Sequence, residues 1–226
     1  MPWTWLRALP ISSSAPQLTA SLVVLGVVLL TAADRRLAVL AFVMLRIVVL
    51  IILRPVLPGA MGAASAASHL AIVMVCAMPV LRARQASGAV ATRPARDAAF
   101  LMTPPFRALA ASIGLLLAHG FVQTYASDLA PLAVVVASSW LVALGMLALL
   151  LSASGLGTAM GVVVLADACR LMYALSQPDV WVWATWSACD LLIVLAGAHL
   201  SRIEAVARQN SAEERTWDLT GLSARQ

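Results

Sequence analysis

The sequence predicts an all-α polytopic membrane bundle of about seven transmembrane helices. Three observations carry that expectation. Hydrophobic residues make up 62% of the chain and charged residues only 11%, with a mean hydropathy of +0.93, whereas a soluble domain is about one quarter charged. The 226 residues divide into apolar runs of about 20, the length a hydrocarbon core about 30 Å thick demands, so little chain is left for a separate soluble domain. Polar or Pro/Gly-containing breaks separate the runs, and arginines gather in alternate breaks. The chain is therefore read as a single membrane domain over 1–226. It has a first three-helix group at 18–81, an arginine-rich loop at 82–105, a four-helix group at 106–202 and a tail at 203–226.

The start, with Pro2, Trp3, Trp5 and Pro10, reads as an interfacial lead-in rather than a signal peptide, because no small-residue cleavage site follows the first apolar run. The first span is expected over Leu18–Ala33, closed by Asp34-Arg35-Arg36, and the second over Leu37–Leu53 with Arg46 near its centre. Pro55, Pro58 and Gly59 then break the chain. A third span, Met61–Leu81, contains His69, and a fourth, Phe106–Tyr125, contains His119 and Gln123. The fifth covers Leu129–Leu151, a Ser-Ala-Ser-Gly turn leads into the sixth near Leu156, and Gln177-Pro178-Asp179 separates it from the seventh. Small residues at Gly157 and Gly161, and at Gly62, Ala66 and Ala67, suit close helix packing.

The fifteen basic residues are all arginine and give a net charge of +5. The breaks after the first and third spans and the tail carry arginines, whereas those after the fourth and sixth carry Asp128 and Asp179. By the positive-inside rule this places the N-terminus out and the C-terminus in. No basic stripe is interleaved with stacking aromatics, so nucleic acid is not an expected partner. Cys76, Cys169 and Cys189 stand alone in apolar segments without Cys-x-x-Cys or Cys/His spacing, so no metal or cofactor is expected in this chain.

The chemistry is expected where ionisable residues interrupt apolar runs. Asp167 and Asp190 each lie about ten residues into a hydrophobic segment, roughly 15 Å deep at 1.5 Å per residue. A charge at that depth costs at least a few kcal/mol unless it is paired, neutral or hydrated, which makes it a functional candidate. Arg46 and His69 come out within about one turn of the same depth, with His119 and Arg170 nearer the outer side. A mid-membrane row of acids, bases and imidazoles is what lateral proton transfer requires, so Asp190, Asp167, His69, Arg46 and His119 are the candidate proton path. The alternative for Asp167 is an ion pair with Arg170 one turn on, which would only hold helices together. Asp190 has no cation near it in sequence.

At Gly161 through Leu175, and at Ser187-Ala188-Cys189-Asp190-Leu191-Leu192-Ile193-Val194, the chain resembles the hydrogenase-4 component E family, whose C-terminal half is similar to the K subunit of respiratory complex I. The tail Asp218-Leu219-Thr220-Gly221-Leu222 resembles that family's terminal motif, and the order of elements agrees along nearly the whole chain. One departure stands out. The family pattern has a glutamate five residues after the glycine and then an asparagine, where this chain has Ala166 and Asp167; the carboxylate is thus turned about 100° around the helix.

The resemblance implies a membrane subunit of a complex-I-related redox assembly, of the membrane-bound hydrogenase or formate-hydrogenlyase type, in a bacterial or archaeal plasma (inner) membrane. It would link antiporter-like subunits to the subunit nearest the redox arm, with iron–sulfur clusters and nickel–iron held by partner subunits. Two other readings stay open on the residues alone: a subunit of a multi-subunit cation/proton antiporter, and a structural membrane spacer. The arginine pattern yields a topological prediction. Single-cysteine labelling in a cysteine-free background is expected to find probes in the 82–105 loop and in the tail both cytoplasmic; labelling from opposite faces would exclude the seven-span scheme.

Overall fold

The computed structural model describes residues 15–32, 35–54, 57, 59–85, 103–125, 132–152, 154–176 and 179–223. The Trp3/Trp5 lead-in, the greater part of the 82–105 loop, and Asp34 and Asp128 lie outside the described residues. Those residues form seven helices and no strand: α1 Ala15–Thr31, α2 Arg35–Leu53, α3 Gly59–Gln85, α4 Pro104–Tyr125, α5 Leu132–Leu151, α6 Gly155–Tyr173 and α7 Val180–Ser223. Four segments are long and apolar enough to cross a membrane: Arg36–Leu53, Val134–Leu151, Gly155–Tyr173 and Val180–Glu204. Gln17–Thr31 and Met61–Cys76 are shorter apolar segments.

Six helices close a ring. α1 packs on α2, α2 on α3, α3 on α7, α7 on α6, α6 on α5, and α5 back on α1, while α2 and α6 touch across the middle. α4 lies outside the ring against α5 and α1. Each helix turns one stripe inward at the three- and four-residue spacing of an α-helix. On α2 the stripe is Val39, Phe42, Arg46, Val49 and Leu53, and on α7 it is Trp183, Asp190, Val194, Gly197 and Ser201. The outward faces are apolar as well. Leu116 is 71% exposed, Trp181 81% and Leu192 65%, a pattern suited to a lipid solvent rather than water.

Glycine decides how closely α5, α6 and α7 approach. A Cβ at Gly145 would stand 2.9 Å from the backbone nitrogen of Leu165 and 3.1 Å from the carbonyl oxygen of Gly161. At Gly197 it would stand 2.9 Å from the carbonyl oxygen of Gly155, so backbone meets backbone at both crossings. Between α6 and α7 the contacts Gly155–Leu200 and Ala159–Gly197 set an antiparallel register. Continuing that register two turns along α6 brings residue 167 opposite residue 190.

The first turn of α6 is satisfied from two directions, as a buried helix start requires. Ser154, extended at φ −141° and ψ 147°, caps it by accepting from the Gly157 amide at 3.2 Å. The Leu156 amide donates to Ser201 Oγ at 3.0 Å and the Gly155 amide to Glu204 Oε1 at 3.1 Å, which ties the start of α6 to α7. Arg107 at the start of α4 donates to the Leu30 carbonyl at 3.3 Å, near the end of α1. Both junctions lie at the end of the bundle where α1, α3, α5 and α7 finish their apolar stretches.

This packing predicts opposite outcomes at two glycines. Gly145→Ala pushes a methyl against immobile backbone and is expected to cost about 1–3 kcal/mol. Gly62→Ala, where nothing lies within 4 Å of the added Cβ, is expected to be neutral or stabilising by up to about 1 kcal/mol through helix propensity. Thermal unfolding of the two variants in the same detergent checks the contrast, and equal midpoints would show that α5 and α6 are not in backbone contact.

Candidate functional site: a buried four-charge cluster

Arg46 on α2, Asp167 and Arg170 on α6, and Asp190 on α7 meet inside the ring, with relative exposures of 0%, 0%, 1% and 2%. Arg46 Nη1 donates to Asp167 Oδ1 in the tightest contact it makes, and to Asp190 Oδ2 at 3.4 Å. Its Nη2 reaches the same Asp190 oxygen at 3.3 Å. Arg170 Nη1 donates tightly to Asp190 Oδ2 and lies 3.4 Å from Asp167 Oδ1. Every arginine therefore addresses both carboxylates, and the four formal charges cancel. The α6/α7 register places the acids opposite one another, and the α2–α6 contact lets Arg46 enter from the third side.

Burying one such ion alone costs several kcal/mol, and attraction offsets this only with close geometry. The cluster meets that condition with alternating signs, but not every atom is satisfied. Arg46 Nε, Arg170 Nε and Nη2, and Asp167 Oδ2 have no hydrogen-bond partner among the described residues. His69 on α3 adds another. Its ring is 5% exposed, and Nδ1 lies 2.8 Å from the Ser65 carbonyl oxygen. A carbonyl only accepts, so Nδ1 carries the hydrogen, and in the neutral ring Nε2 is left as an unpartnered acceptor. The charges of Arg46, Asp167 and Arg170 all act on this ring, which places it beside the cluster.

The structure thus brings together Arg46, Asp167, Asp190 and Arg170, with His69 adjacent. It leaves His119 apart, exposed on α4, whose main contacts are with α5 and α1. The Asp167–Arg170 contact exists at 3.4 Å, but each of these residues makes its closer contact elsewhere. Asp190, which has no neighbouring cation in sequence, receives one from 144 residues away and one from 20. Ser65, Ser201 and Glu204 were not singled out by the sequence; only their positions inside or just beyond apolar runs could have drawn attention to them. Among the described residues no group of three His, Cys, Asp or Glu is placed to hold a metal ion.

No family model matches the chain, and comparison with characterised proteins and with solved structures finds no match. Chemical inference therefore starts from the cluster itself. It holds two carboxylates that can take up a proton, two guanidiniums that cannot give one up, and an imidazole nitrogen able to accept one.

Removing one member leaves an uncompensated charge. Arg46→Met and Asp167→Asn are each expected to destabilise by about 3–5 kcal/mol. The Arg46→Met/Asp167→Asn double variant keeps the Arg170–Asp190 pair, restores neutrality, and is expected to recover about 1–3 kcal/mol of the summed loss. Unfolding of all four proteins closes the cycle, and strict additivity would show that the two residues do not interact.

Proposed function

We propose that this chain is an integral membrane subunit of a complex-I-related multi-subunit redox assembly, of the membrane-bound hydrogenase or formate-hydrogenlyase type, and that its buried cluster forms part of a mid-membrane proton path. The observation that carries this reading is the cluster: two carboxylates shared by two arginines, beside an imidazole with a free acceptor nitrogen, inside an apolar bundle. Ionisable groups in such a place ordinarily mark ion or proton routes. The unpartnered polar atoms supply further donors and acceptors for relayed transfer, directly or through water.

The steps follow from the contacts. A proton reaching Asp190 Oδ2 neutralises that carboxyl and weakens its hold on Arg170. Arg170 Nη1 then moves the short distance to Asp167, which now faces two cations, and the excess positive charge favours release of the proton onward. His69 Nε2 is the acceptor nearest in kind. The pairing changes while no charge is left uncompensated for longer than one transfer.

Seven spans with the C-terminus in the cytoplasm remain part of this proposal. The arginine-bearing 82–105 segment and the 203–226 tail favour it, although Arg54, exposed after α2, stands on the opposite side. The proposed setting is the plasma membrane of a bacterium or archaeon. The proposed partners are antiporter-like subunits and the subunit next to the redox arm, with the metal clusters in partners. A structural spacer is favoured by one observation, the closure of the cluster into a neutral set that could lock three helices without moving a proton.

The two readings separate at Asp190. In the assembled complex reconstituted into vesicles, Asp190→Asn is expected to lose most of the proton movement that accompanies redox turnover, whereas Asp190→Glu, which keeps a titrating carboxyl, retains it. Full coupling in an assembled Asp190→Asn complex would make the cluster structural.

A further inference from the structure

The outer face of α7 changes character where its apolar segment ends. Val180–Glu204 is long and apolar enough to cross a membrane. Ser201 and Glu204 turn inward to hold the first amides of α6. On the other side His199, Arg202, Ile203, Val206, Ala207 and Asn210 line an open depression of about 360 Å³. His199 and Arg202 are exposed, and Ile203 and Val206 remain 52% and 50% exposed although both are apolar. Towards the middle of the span the same stripe continues through Leu195 and Leu192, 45% and 65% exposed, at three- and four-residue steps.

We infer that this depression is a binding site for an anionic phospholipid, whose phosphate lies against Arg202 and His199, whose headgroup points towards Asn210 and whose acyl chains run along Leu195 and Leu192. The chemistry recognises a molecule with an anionic head and an apolar body, arranged along the helix in the order in which the bilayer presents them. A guanidinium and an imidazole supply donors at the level where the apolar segment gives way to a polar one. Such basic pockets at the ends of transmembrane helices suit lipid phosphates, with each cation near the surface worth about 1 kcal/mol. A free anion would need the cations but not the continuous apolar stripe. A soluble peptide would meet only Val206 and Ala207 beyond the apolar segment, whereas the stripe continues into that segment through Ile203, Leu195 and Leu192.

Native mass spectrometry of the detergent-purified full chain, titrated with phosphatidylglycerol or with phosphatidylcholine of the same acyl length, tests the site. Wild type is expected to retain phosphatidylglycerol in preference to phosphatidylcholine. Arg202→Gln is expected to weaken phosphatidylglycerol binding about fivefold, the equivalent of about 1 kcal/mol, without changing phosphatidylcholine binding, and Arg202→Lys is expected to preserve it. Leu195→Ser is expected to weaken both lipids. Millimolar inorganic phosphate is expected not to displace the lipid. Equal binding of the two lipids, indifference to Arg202→Gln, or displacement by phosphate alone would overturn the lipid assignment. So would cross-linking between two copies through Ile203→Cys in detergent without phosphatidylglycerol, since the face would then belong to a second chain.

Discussion

Charge neutrality inside a low-dielectric bundle is the constraint on which the rest of this structure depends. Two guanidiniums and two carboxylates sit where almost no water reaches them, and none could remain ionised there alone at tolerable cost. Their mutual contacts require α2, α6 and α7 to hold one relative depth and one rotation. A shift of a single residue along α7 would turn Asp190 about 100° away from both arginines. The glycine contacts at 155, 161 and 197 serve the same end from the backbone side. They let α5, α6 and α7 close to distances at which the short aspartate side chains meet. The electrostatic and steric constraints thus select the same register, and neither alone would suffice.

The surroundings of the cluster follow from solvent. Where lipid tails are as apolar as leucine, burial of apolar surface does not drive helices together, and close packing with polar contacts takes over. The ring reflects this. Its tightest approaches use glycine and alanine, while leucine, isoleucine and valine are divided between the interior and the outer face. α7 shows it most plainly: its buried stripe is one aromatic, one acid, one valine, one glycine and one serine, while Leu192, Leu195, Leu200 and Ile203 face outward.

Helical class was legible because composition and run length report on the solvent directly, and the helix limits fall near the expected breaks at Pro55–Gly59, the Ser-Ala-Ser-Gly turn and Gln177-Pro178-Asp179. The candidate site was legible as a set of residues sharing one depth, since depth scales with residue number along a helix. Partner choice was not. Depth says nothing about rotation or about which helices are neighbours, so Arg46 could not be assigned to Asp167, and Asp190 looked isolated. His119 was included by residue type, although its expected depth was nearer the outer side, and its helix lies on the outside of the ring. The reach of Glu204 and Ser201 back to the start of α6 was hidden too, because it depends on a contact between residues nearly 50 positions apart.

The position of the acid on α6 acquires a physical sense in this geometry. Position 166 is half-buried, whereas position 167 lies fully on the inner stripe, so a carboxyl at 167 faces the centre of the ring. What waits there is Arg46 from α2. An acid at 166 would leave Arg46 facing one carboxylate, Asp190, with Arg170 competing for it, and the centre would carry a net positive charge. Arg46 and Asp167 therefore make sense only together: the arginine in the second helix requires the acid at 167, and the acid at 167 requires the arginine. That dependence also constrains how protons could pass, because any carboxyl that accepts one releases an arginine to its neighbour. Transfer through this bundle would be coupled to exchange of ion-pair partners across three helices.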